Sequence, residues 1–135
     1  MAAWILKTEP TDYSFPDLLR EGWAVWSGIS NPTALQNLRK VEKGDTILIY
    51  HTGKERQVVG LARAKSGPYP DPALGDPKHV VIDVTADKAL RTPVTLEQFK
   101  ADPMLSKTDL VRLGRLSVVP LSDAQLARVM KLGQG

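Results

Sequence analysis

The sequence predicts an α+β domain, a small curled β-barrel of five to six strands flanked by short helices. Three observations predict it. Several short segments rich in β-branched and aromatic residues follow one another without an intervening helix, and two of them are joined by a short polar loop, which is a hairpin rather than a βαβ pattern. Four stretches carry helix-start chemistry, and they lie at the margins of the β segments. The chain has 135 residues, the size of one domain with one core. Its strands must therefore close on one another, and a small barrel with helices around it is the natural closure.

Each element has its own reason. Trp4-Ile5-Leu6-Lys7-Thr8 is a short, largely buried strand, and Glu9-Pro10 ends it because the residue before proline is pushed out of helical geometry. Ser14 is an N-cap for a short helix through Arg20, with Pro16 tolerated in its first turn and Gly22 as its stop. Trp23-Ala24-Val25-Trp26 is extended. Gly28 to Pro32 is a turn feeding a second helix, with Asn31 as cap and Pro32 as first helical residue. Leu35, Leu38 and Val41 recur at helical spacing, and Arg39, Lys40 and Lys43 complement the negative end of the helix dipole. Lys43-Gly44-Asp45 is a turn.

Thr46 to His51 is a continuous β segment, Thr52 to Arg56 a hairpin loop, and Val58 to Ala64 the returning strand, where Gly60 marks a bulge or a close approach. Gly67 to Pro77 is a proline-rich but ordered loop, and His79 to Thr85 a further buried strand. Thr95-Leu96-Glu97-Gln98 is a capping box before a short helix. Leu116 to Val119 is the last strand. Ser122-Asp123-Ala124-Gln125 opens a final helix with Leu126, Val129 and Met130 on one face and Gly133 as its stop.

Composition removes whole classes of chemistry. Hydrophobic residues make up 42% and charged residues 24%, which is globular rather than disordered. With no cysteine and two histidines, disulfide scaffolds, Cys-ligated zinc, iron–sulfur clusters and thiol nucleophiles are excluded, a multi-His metal site is not expected, and neither a metal nor a cofactor is expected. The formal charge of +3 permits a polyanionic partner without requiring one. No apolar run is long enough to span a bilayer. The apolar start, Met1 to Leu6, has no basic region and no cleavage site, so it reads as the first strand rather than a signal peptide. The expectation is a cytoplasmic monomer away from membranes.

There is no phosphate-binding glycine loop, nucleophile elbow or zinc-protease motif. Ser27, His51 and Glu9 offer a conceivable triad, against which stands a strand-end histidine bonded to backbone. The aromatics say more. Only eight residues are aromatic, yet Trp23 and Trp26 fall three apart, which places them on opposite faces of a strand. One of them can pack in the core while the other walls a cleft, with Ser27, Ser30 and Asn31 beside it, where a base stacked on an exposed Trp gains about 1–3 kcal/mol; the alternative is that both are core residues. Lys7, Arg39, Lys40, Arg63, Lys65, Arg112 and Arg115 are candidates for a phosphate rim. Their alternative is a solvated charged surface.

These segments also resemble a known family. Trp4-Ile5-Leu6-Lys7-Thr8-Glu9-Pro10 is similar to the W-L-x-K-T-E-P opening of EVE domains, relatives of the PUA superfamily. The match continues at Asp12-Tyr13-Ser14 and at Trp26-Ser27-Gly28-Ile29-Ser30-Asn31, which resembles W-x-G-V-R-N. It resumes at Asn37-Leu38-Arg39, Lys43-Gly44-Asp45, Tyr50-His51-Thr52, Val59-Gly60, Tyr69-Pro70-Asp71-Pro72, Ile82-Asp83-Val84 and Arg115 to Pro120, in family order across nearly the whole chain.

The resemblance implies one PUA-like barrel domain over 1–135, without catalytic activity. It further implies a pocket for a flipped nucleobase, a modified one, carried by DNA or RNA. Carried over by residue, Trp26 is a pocket wall, with Ser27, Gly28 and Asn31 on the adjoining turn. Lys7, Thr8 and Glu9 lie at the strand end facing the same cleft, Tyr50 and His51 come from the central strand, Tyr69 from the proline-rich loop, and Leu116 and Ser117 from the last strand. Arg39, Lys40, Arg63 and Arg115 supply the phosphate rim. The chain departs from the family at Ser30, where arginine is usual, at Pro32, where tyrosine is usual, and near His79, where an aromatic usually precedes the V-D-V strand. The alternative to a reader is a small enzyme on a nucleotide-like ligand, with Glu9 or His51 as general base, or a pocket for a free metabolite.

Overall fold

The computed structural model describes residues 2–134; Met1 and Gly135, the ends of the predicted domain, lie outside the described residues. In chain order the elements are β1 (Ala3–Thr8), α1 (Phe15–Glu21), β2 (Trp23–Trp26), α2 (Pro32–Leu38), β3 (Thr46–His51), β4 (Gln57–Ala64), β5 (Tyr69–Pro70) and β6 (Val80–Thr95). Then follow α3 (Leu96–Ala101), a 3-10 turn (Leu105–Lys107), α4 (Asp109–Arg112), β7 (Val118–Leu121) and α5 (Asp123–Gln134). The architecture is mixed α+β, one sheet of seven strands with short helices around it.

The caps fall where local chemistry puts them. Ser14 and Asp17 form a reciprocal capping box on α1, and Gly22 ends it with φ +85°. The Asn31 side chain accepts the Ala34 N–H at the start of α2, and Thr95 with Gln98 boxes α3. Three expectations shift. α2 stops at Leu38, so Val41 is buried from a turn rather than from the helix. The last strand starts at Val118, leaving Leu116 and Ser117 just before it. α5 runs through Gly133 instead of stopping there, and this glycine lies close to β6, where a Cβ would meet the Leu90 side chain at 3.1 Å.

The sheet runs β2-β6-β4-β3-β1-β7, with β5 added to β6. β1 pairs in parallel with β3 and antiparallel with β7; the other pairs are antiparallel. β6 is the largest departure from the sequence reading, extending ten residues past Thr85 to Thr95. Opposite it, Gly60 pairs with Ala89 and Val58 with Val94, so Leu90 to Pro93 bulge out against the single residue Val59. A bulge is where proline is tolerated in a sheet. Gly60 meets both expectations, since it sits at the bulge and Phe15 packs directly over it, leaving no room for a Cβ.

The ladder is an open path with β2 and β7 at its ends, not a closed ring of hydrogen bonds. In a flat sheet β2 would lie four inter-strand steps, about 19 Å, from β1. Instead the C-terminal ends of β1 and β2 line one cavity, so the sheet is strongly curled. α2 packs against both β6 and β7, across the seam left by the curl. There Asn37 Nδ2 donates to the Val118 carbonyl at 2.9 Å and satisfies part of the β7 edge. Ile5, Leu6, Ile47, Leu48, Ile49, Ile82, Phe15 and Phe99 fill the interior.

Candidate nucleobase site

Lys7 and Thr8 at the end of β1, Ala24, Val25 and Trp26 of β2, Ser27, and Tyr13 from the loop before α1 line a cavity of about 300 Å³. That is the lower end of the range for small-molecule sites.

Trp26 is 7% exposed, so most of its ring belongs to the core. The Tyr13 ring meets it edge-on, with centroids 6.1 Å apart and planes at 78°. Among the described residues the Trp26 indole N–H has no acceptor, yet no buried side-chain nitrogen or oxygen lacks a partner; this N–H therefore lies at accessible surface. Trp4 is the contrast, its Nε1 donating to the buried Asp45 carboxylate at 3.0 Å.

Tyr13 is held by its neighbours. Its carbonyl accepts the Thr8 hydroxyl at 2.6 Å, and its own hydroxyl donates to Glu21. Loss of hydration, then that bond to Glu21, push its phenol well above the usual range, so it stays protonated and a donor. Lys7 crosses the cavity's side. Its ammonium donates to the Gly114 carbonyl at 2.9 Å and sits 5.7 Å from the Tyr50 ring centre. Burial lowers its pKa from the ordinary lysine value.

Of the residues predicted for the site, Lys7, Thr8, Trp26 and Ser27 come together in this cavity. Tyr13, Ala24 and Val25 join them without having been assigned. Tyr13 lay within a matched motif, and Ala24 and Val25 sat beside the key Trp, so their signal was adjacency. Gly28 follows Ser27 on the exposed turn at φ +83°.

Asn31 and Leu116 line a neighbouring recess of about 320 Å³ with Thr33, Leu113, Gly114 and Arg115. The Lys7–Gly114 bond joins the two spaces. Ser117 contributes its carbonyl, which accepts the Lys7 backbone N–H at 3.1 Å.

The remaining predicted residues are placed elsewhere. His51 is 4% exposed with both ring nitrogens engaged. Its Nε2 accepts the Phe15 backbone N–H at 2.9 Å, and its Nδ1 lies 2.9 Å from Glu55 Oε1. The structure does not assemble Ser27, His51 and Glu9 as a triad. Glu9 turns to the hairpin loop, where it accepts the Thr52 hydroxyl at 3.2 Å and packs on Gly53. Tyr50 is buried beneath Lys7. Tyr69 donates to Asp83 at 2.6 Å and does not line the cavity, and that bond, with lost hydration, pushes its phenol up to about 12. Of Arg39, Lys40, Arg63 and Arg115, Arg115 alone lines either of the two cavities, where Lys7 also stands. Arg39 and Lys40 are exposed past α2, Arg39 donating to the Lys78 carbonyl at 2.6 Å, and Arg63 of β4 reaches the Thr46 hydroxyl of β3 at 3.4 Å.

A curled single sheet with an aromatic-walled cavity between β1 and β2 defines a small mixed α+β domain. Residues 2–132 match the EVE domain model, and the chain belongs to the EVE domain family. It is 27% identical to mouse thymocyte nuclear protein 1, over 96% of this chain and 72% of that protein. A protein from Rhodopseudomonas palustris, solved by NMR, superposes with a TM-score of 0.93 at 35% identity, covering 98% of this chain and 93% of that one. The human THYN1 protein, solved in complex with 5-methylcytosine-containing DNA, has the same fold with a TM-score of 0.91 at 23% identity, covering 100% and 99%. A YTH domain from Zygosaccharomyces rouxii, solved with N6-methyladenosine RNA, shares the fold more distantly, with a TM-score of 0.60 at 11% identity over 99% and 87%. No helix among the described residues is long and apolar enough to cross a membrane.

Proposed function

We propose that this chain is a non-catalytic reader of a modified nucleobase, which leaves its strand and enters the cavity beside Trp26. The observation that carries the proposal is the combination of an aromatic wall pinned by Tyr13 with an indole N–H left at accessible surface. A planar base gains stacking from the wall and meets polar groups of Trp26, Ser27 and Thr8 at its edge. The complexes of human THYN1 with methylated DNA and of a YTH domain with methylated RNA support this use of the fold. In this reading the curl is that of a PUA-like barrel with its seam covered by α2, and 1–135 acts as one cytoplasmic module that binds as a monomer. Arg115 and Lys7 lie nearest the strand's phosphates, while Arg39, Lys40 and Arg63 add only diffuse attraction. Asn31, Gly28, Leu116 and Ser117 shape the wall between cavity and recess.

Titration with oligonucleotides carrying 5-methylcytosine in DNA or N6-methyladenosine in RNA, beside unmodified controls, tests the proposal. The expected result is a preference for one modified strand, worth about 1–3 kcal/mol for a single methyl group. Equal, negligible binding to all of them would refute it.

A further inference from the structure

β2 has a second face. Alternation along the strand turns Trp23 and Val25 away from Trp26, and they are 46% and 44% exposed. Trp23 is an exposed indole on an edge strand, and Lys65 places its ammonium 4.0 Å from the Trp23 ring centre. Val25 also lines the cavity, so this outer face is continuous with the cavity mouth. Its cross-strand neighbours are Thr85, opposite Trp23, and Asp83, opposite Val25. The Asp83 carboxylate already accepts the Tyr69 hydroxyl.

We propose that Trp23 and Lys65 form a second nucleotide subsite, which holds a neighbouring nucleotide of the strand whose modified base occupies the cavity. This inference rests on the nucleobase reading above. An exposed aromatic platform paired with a cation suits a base stacked beside its own phosphate, and such stacking tolerates any sequence. The cavity thus chooses the modified base, while Trp23 and Lys65 hold the strand beside it.

The test compares wild type with Trp23→Ala, Trp23→Phe, Lys65→Gln and Trp26→Ala. The probes are labelled single-stranded DNA and RNA of mixed sequence, the same strands with a central 5-methylcytosine or N6-methyladenosine, and the two free modified nucleosides. Trp23→Ala is expected to weaken strand binding roughly five- to hundred-fold, to leave binding of the free nucleoside unchanged, and to be largely rescued by Trp23→Phe. Lys65→Gln should reduce the slope of log affinity against log salt by about 1. If both outer-face variants bind strands like wild type while Trp26→Ala does not, the subsite falls and the base reading stands. If wild type binds no strand, both fall. If Trp23→Ala changes only a concentration-dependent self-association seen by sedimentation, the face is a contact between copies of this chain and the proposal is overturned.

Discussion

Trp26 buries most of its ring among core residues and also lines the cavity, so binding and stability meet in one side chain. Trp26→Ala should cost about 1–3 kcal/mol of base binding through lost stacking, and about 3–5 kcal/mol of stability through the cavity it leaves. Trp26→Phe separates the two, keeping a stacking face while removing the N–H. Titration of the folded variants, with urea melts alongside, measures both. Asp45 is the second residue whose change is informative. It is 1% exposed and accepts N–H groups from Trp4, Glu42 and Ala2. Asp45→Ala leaves buried donors unpaired and should destabilise by about 1–3 kcal/mol, whereas Asp45→Asn keeps an acceptor and should lose less. An unchanged urea midpoint for Asp45→Ala would show these bonds to be unimportant.

At the scale of elements, Phe15 fastens α1 to the sheet in two ways: its ring covers Gly60, and its N–H is taken by His51, while Leu18 of the same helix is also buried in the core. Gly60→Ala should cost about 1–3 kcal/mol by overpacking, and Phe15→Leu should recover part of it when combined. Additive losses in the double-mutant cycle would refute the contact's role. The same comparison shows which elements were legible in sequence. α1, α2 and α3 announce themselves because caps are local chemistry, readable within four residues. The second half of β6 does not, because Ala86 to Pro93 lacks alternation and is held extended by β4 through bulges, a long-range effect. The site divides in the same way. Lys7, Thr8, Trp26 and Ser27 stand in matched motifs and meet in space. His51 and Tyr50 stand in a matched motif too, but their strand is buried on both faces, so their side chains serve the core instead.

Across the whole molecule, one ion pair ties the C-terminal helix to the segment between α3 and α4. Arg128 Nε donates to Asp102 at 2.6 Å, and Asp102 also accepts the Met104 and Leu105 backbone N–H groups. Arg128 first, then these N–H groups, hold the Asp102 pKa below the ordinary carboxylate range. A carboxylate with a lowered folded pKa contributes stability above its unfolded pKa and loses it as pH falls through the folded value. Arg128→Gln should therefore raise the pH at which acid unfolding begins, as followed by circular dichroism. An unchanged acid midpoint would mean that the pair contributes nothing across the fold.

The place of β1 in the sheet has a kinetic consequence. This strand lies between β3 and β7, and Ala3 pairs with Leu121. During synthesis β1 therefore waits, one side unfilled, until β7 has been made. Such long-range closure slows folding, and it leaves an apolar edge open to other nascent chains throughout synthesis. The domain is thus expected to close only once β7 is available.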